Sequence, residues 1–153
     1  MNLGTITRRQ WMSRVAGGVA AVLLPGPIAQ AQLMAGMTLV AQGKFRDNGM
    51  LHKGAGDAMI YRRADNSMLL RLDNFRVTAG PDLYIYLTKH SAPENTKQVK
   101  QGFLQVARLK SNTGAQEYDI APGTPLNDFN SVVVFCQVFG VLFSAAPLTT
   151  VAE

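Results

Sequence analysis

The sequence predicts an all-β domain, a single sandwich or barrel of about eight short, mostly antiparallel strands. Three observations carry that expectation. Runs rich in Val, Ile, Tyr and Phe recur at a spacing of about ten residues, separated by Gly, Pro, Asn and Asp clusters. No amphipathic helical period of useful length follows the first thirty or so residues. The chain has 153 residues and one cysteine, so one domain must stand on its core without an internal disulfide.

Residues 1–31 read as a leader rather than as part of the fold. Arg8, Arg9 and Arg14 form an acid-free basic start, Val15 to Leu24 is a short apolar run, and Pro25-Gly26-Pro27 breaks it. Ala29-Gln30-Ala31 then supplies the small-x-small pattern that a signal peptidase cuts, placing the cleavage between Ala31 and Gln32. The apolar run is about half the roughly twenty residues that a membrane-spanning helix requires, so no permanent membrane anchor is expected. Thr7-Arg8-Arg9-Gln10-Trp11-Met12-Ser13 resembles the twin-arginine export motif, with Arg8 and Arg9 as the recognised pair and Ser13 where a lysine is usual. The expected location is periplasmic or secreted.

The strands follow in order. They are expected near Met37–Phe45, Asp57–Arg63, Ser67–Phe75, Leu83–Thr88, Leu104–Lys110, Gln116–Ile120, Val132–Gln137 and Val141–Ala145. The turns between them carry residues at ease with positive φ, or prolines that preset a turn, as in Lys53-Gly54-Ala55-Gly56 and Ala79-Gly80-Pro81-Asp82. In Leu83–Leu87 the leucines and isoleucine face one way, and Tyr84 and Tyr86 face the other, under a second layer. In Leu69–Phe75 the same alternation sets Leu70, Leu72 and Asn74 opposite Arg71 and Asp73. Val132–Cys136 is apolar on both faces and reads as a central strand. Ser91–Gly102 is the longest polar stretch and is expected to be a mobile loop. The resulting organisation is a leader over 1–31, a lead-in over 32–40 and a β domain over 41–150.

Charge excludes one class of partner. The whole chain is +5, but 15 Lys+Arg less the three leader arginines leaves 12 against 10 acids, or +2. That balance, with no clustered basic face, predicts no nucleic-acid partner.

The inventory of reactive groups is short. Two histidines and no Gly-x-Ser-x-Gly elbow give no support to a hydrolase triad. His52, His90, Cys136 and a methionine are the residue types of a blue-copper site, yet neither His nor Met follows Cys136 as a copper loop demands. Cys-x-x-Cys-His is absent, which removes a c-type haem. Two readings of Cys136 stand side by side: a small buried hydrophobe in a central strand, or a redox-active thiol close to a strand end. His52, just before the Lys53–Gly56 turn, reads either as a solvated loop histidine or, if it lies close to Cys136, as the group that would ion-pair with the thiol or share a ligand with it. His90 opens the polar loop and reads as a solvated side chain.

Several blocks together resemble the electron-transfer DM-thirteen domain family, found beside DOMON domains. They are Gly43-Lys44-Phe45 with His52 and Gly56, Leu70-x-Leu72-x-Asn74-Phe75, Gly80-Pro81-Asp82-Leu83-Tyr84-Ile85-Tyr86-Leu87, Leu109-Lys110-Ser111-Asn112-x-Gly114-x-Gln116-x-Tyr118, and Ser131–Cys136 with Phe139. Phe143, Ala145, Ala146 and Leu148 continue the pattern, so it spans about Ala41 to Leu148. The resemblance implies a β-rich exported module whose cysteine, here Cys136, takes part in electron transfer; Phe135 stands where the family more often has Trp. The cofactor is unknown from the resemblance. An exported redox partner or a cell-surface protein is the implied partner class. The reading from a different class is a binding or adhesion module with loops such as Ser91–Gly102 as its contact surface and Cys136 as a core residue.

Overall fold

Alternation builds the sheet, and departures from it shape the ends. A computed structural model of the chain describes residues 36–151. It contains nine strands: β1 Met37–Lys44, β2 Arg46–Asp47, β3 Gly54–Arg63, β4 Met68–Val77, β5 Leu83–Thr88, β6 Phe103–Arg108, β7 Gln116–Ile120, β8 Ser131–Cys136 and β9 Val141–Thr150. A single helical turn, α1 (Thr96–Val99), interrupts the loop between β5 and β6. Hydrogen-bonded neighbours run β6-β5-β8-β9-β1-β3-β4-β7, all antiparallel, with β2 added to β9. The two outer strands of this path approach one another, and Lys110 N donates to the Tyr118 hydroxyl across the gap. The architecture is therefore an all-β, nearly closed barrel.

β9 is the strand that turns the corner. Its first half pairs with β8, from Val141↔Cys136 to Pro147↔Ser131, and its second half pairs with β1, from Leu148↔Gly43 to Thr150↔Ala41. Pro147 falls where β9 leaves β8 for β1, so its missing N–H interrupts the ladder at the point of exchange. The expected end at Ala145 was therefore too early. The strands are packed so closely here that a Cβ on Gly43 would lie 2.1 Å from the Pro147 carbonyl oxygen.

The inward side chains form one core. Val40, Ile60, Leu70, Leu72, Phe75, Leu83, Ile85, Leu87, Ile120, Val132, Val134, Cys136 and Phe143 all belong to it. A second cluster covers the outer face of β5, β8 and β9: Tyr86, Val133, Phe135, Leu142 and Ala145, with Tyr84 beside them and Val99 of α1 above. β8 is buried at all six positions because it has apolar layers on both sides, as its sequence implied.

Two expectations are corrected. Asn74 does not follow Leu70 and Leu72 inward. A bulge shifts the β3–β4 register between Ala55 and Asp57, with Gly56 at φ +111 and Asn74 at φ +48, and the core receives Phe75 instead. Gly56 is obligatory there, since a Cβ would lie 2.6 Å from the Phe75 Cα. The Ser91–Gly102 segment is an anchored cover rather than a free loop. The Asn95 side chain accepts from Gln98 N at the start of α1, and Val99 and Pro93 are buried. Thr96 Oγ1 donates to the Gly140 carbonyl at 2.6 Å.

Candidate functional site

Cys136 is the last residue of β8, and alternation from Val132 and Val134 points its side chain into the core. Its cross-strand neighbours are Leu83 of β5 and Val141 of β9. The side chain is 0% exposed, and its sulfur makes no hydrogen bond among the described residues. The chain then leaves the core abruptly. Gln137 N donates to the Asp82 carbonyl at 3.0 Å, and Gly140, at φ +60, closes a tight turn onto Gln137 O. The thiol thus lies one residue beneath an exposed hairpin end.

The opposite face of the same strands carries an aromatic stack. Phe103, Tyr86 and Phe135 lie with ring centroids 4.9 and 5.3 Å apart, both pairs near-parallel. The Gln137 side-chain amide bridges the Tyr86 hydroxyl at 2.7 Å and Gln105 Oε1 at 2.6 Å. Burial raises the Tyr86 phenol above its ordinary pKa, and the Gln137 hydrogen bond opposes that shift. The outermost ring, Phe103, is exposed, so the stack leads from the surface to the residue beside Cys136.

His52 is half-buried at the same end of the barrel, in the loop between β2 and β3. Its ring lies 4.2 Å from that of Phe143, tilted by 40°, and Phe143 belongs to the core cluster that holds Cys136. Asn48 N donates to His52 O at 2.8 Å, and Asn48 Nδ2 donates to Leu142 O at 2.6 Å, which ties this loop to the start of β9. No hydrogen bond or ion pair joins His52 and Cys136. His90 is a structural residue: its Nδ1 accepts from Ala92 N, and its carbonyl accepts from Ser131 Oγ and Thr88 Oγ1. Arg8, Arg9, Ala31 and Gln32 lie outside the described residues.

Among the described residues, no three His, Cys, Asp or Glu side chains converge into a set that would hold a metal ion. A groove of about 730 Å³ lined by Arg62, Met68, Leu126, Asn130 and Thr150 lies at the other end of β9 from Cys136. Sequence reasoning missed two features at the Cys136 end. One is the stacking of Phe103 on Tyr86 and Phe135. The other is a pair of exposed apolar tips, Met50 with Leu51 and Val138 with Phe139; its signal was apolar residues inside turn segments.

No curated protein and no solved structure matches the chain. The family model for the electron transfer DM13 domain does, over residues 44–148. That span starts at the last residue of β1, takes in His52, the bulge at Gly56 and Cys136, and stops in β9. On that match, which covers most of the sequence, the chain belongs to the electron transfer DM13 family.

Proposed function

We propose that the protein is an exported, non-enzymatic electron-transfer module in which Cys136 is the redox-active group, held closed at rest and reached through local opening of the β8–β9 hairpin. The observation that carries this reading is the position of Cys136: enclosed by the core, yet the last residue of its strand and adjacent to the exposed Gln137–Gly140 turn. Strand ends open at a lower free energy than the whole fold. A single thiol without a second cysteine has one simple exchange available. Cys136 Sγ, as thiolate, attacks one sulfur of a disulfide in an exported partner. The new S–S bond forms as the partner's bond breaks, and the departing sulfur takes up the proton that Cys136 released. The leader at residues 1–31, with Arg8 and Arg9, supports delivery of the folded domain to the periplasm or beyond.

A second reading is favoured by the complete burial of the sulfur: a binding module in which Cys136 only fills the core. The two differ in how labelling of the thiol by a maleimide depends on denaturant. Under the redox reading, labelling in the native range is nearly independent of urea and far faster than global unfolding permits. Labelling that rises in parallel with the unfolding constant overturns it and establishes the core role.

A further inference from the structure

At the Cys136 end, two hairpin tips project side by side. Gly49–Leu51 caps the loop between β2 and β3, and Gln137–Gly140 joins β8 to β9. Their bases are fastened together by the Asn48–Leu142 hydrogen bond and by the His52–Phe143 ring contact. On them Met50 is 90% exposed, Leu51 81%, Phe139 66% and Val138 63%. Elsewhere among the described residues the large apolar side chains are covered, apart from Phe103. Such a cluster with a polar rim marks a binding surface.

Its shape selects the occupant. The four apolar side chains stand outward on two separate turns rather than along one continuous strand or helix face. A bilayer surface suits that arrangement, because it surrounds each projecting tip. The rim agrees in charge. Lys53 pairs with Asp47, and Arg108 lies 3.6 Å from Asp82, so these acids are offset. Arg76 lies beside Asp47 and Lys53, Lys97 and Lys100 belong to the α1 segment whose Thr96 bonds Gly140, and these basic residues stand against Glu94. Basic side chains around an apolar tip suit an anionic headgroup layer, with their stems on the apolar side and their charges in water.

We propose that this end of the barrel is a lipid-docking pole, at which Met50, Leu51, Val138 and Phe139 enter the acyl boundary of an anionic membrane while the surrounding cations remain at headgroup level. Docking of this kind does not depend on the reactivity of Cys136, so a Cys136→Ala protein should bind as the parent does.

The chain from Gln32 onward is the protein to test, because it carries the whole core and lacks the apolar leader. The sequence has one tryptophan, Trp11 in the leader, so Phe139→Trp makes a single-tryptophan reporter. Vesicles with about 30% phosphatidylglycerol in phosphatidylcholine should blue-shift its emission and pellet the protein, with weaker binding to pure phosphatidylcholine and at high salt. The combined Met50→Ser, Leu51→Ser, Val138→Ser and Phe139→Ser variant should lose roughly tenfold or more in vesicle affinity while its circular dichroism is unchanged. Absence of vesicle binding by the parent overturns the proposal. So does binding that the serine variant retains, or a dimer of the parent that the serine variant converts to monomer, which assigns the tips to self-association.

Discussion

Replacing Cys136 by Ala and by Ser separates the burial of the site from its chemistry. The sulfur is enclosed by the core, with Leu83 and Val141 across the strands, and makes no hydrogen bond among the described residues. Ala removes one sulfur-sized group and leaves a small void, at a cost of about 1 kcal/mol. Ser keeps much of the volume but places a hydroxyl where nothing accepts or donates, which costs about 2–3 kcal/mol. For a domain of this size, each kcal/mol shifts the melting temperature by about 3–5 °C. The expected order is parent above Ala above Ser, with drops of roughly 4 °C and 10 °C in scanning calorimetry. A Ser variant as stable as the Ala variant, or more so, refutes an apolar enclosure and brings the thiol into contact with water or a polar group.

Other consequences are equally direct. Gly56→Ala places a methyl group against the β4 backbone and forces a residue with a Cβ to φ +111, so the urea midpoint should fall by the equivalent of about 3 kcal/mol or more. Burial raises the Tyr118 phenol pKa, so the unfolded chain ionises first; stability is intact below pH 10 and declines as pH rises above it. Tyr118→Phe should flatten that alkaline decline in a melting-temperature series, at a cost of about 1–2 kcal/mol at neutral pH from the lost bonds to Lys110 N and Gln116. Asp47 is held below its ordinary value of 3.8 first by Gly54 N–H and then by Lys53, so its contribution is present above that pH and disappears as pH falls below it. Asp47→Asn should therefore reduce the acid sensitivity of the melting temperature. Replacing Arg8 and Arg9 by Lys should leave the precursor in the cytoplasm, whereas the unaltered chain should be recovered beginning at Gln32, as read by mass spectrometry.

Local pattern reached some of this molecule and not the rest. β5 and β7 were legible to the residue because strict alternation survives in Leu83–Thr88 and Gln116–Ile120. The two-sided burial of β8 was legible from its unbroken apolar run, whereas the burial of Cys136 at its end was one of two readings left open. Phase was lost where the backbone leaves the extended region: Asn74 at φ +48 reverses the faces of β4, and the doubled polar pair Asp73-Asn74 before Phe75-Arg76-Val77 was the mark it left in the sequence. Val99, one apolar residue in a polar stretch, was the anchor of α1, but its target on the outer face of β8 and β9 is remote in sequence. The placement of His52 on Phe143 depends in the same way on strand pairing.

β9 also fixes where the polypeptide enters and leaves. It starts at the apolar tips and ends beside β1, where Val151 N donates to Val40 O at 3.0 Å. Ten residues of strand set these ends about 30 Å from the tips. A group attached at Val151 is therefore held at the far pole. Tags or further domains fused there would leave the tips unobstructed, and a fluorophore pair placed at Val151 and Phe139 would gauge the height of the domain above whatever surface it touches.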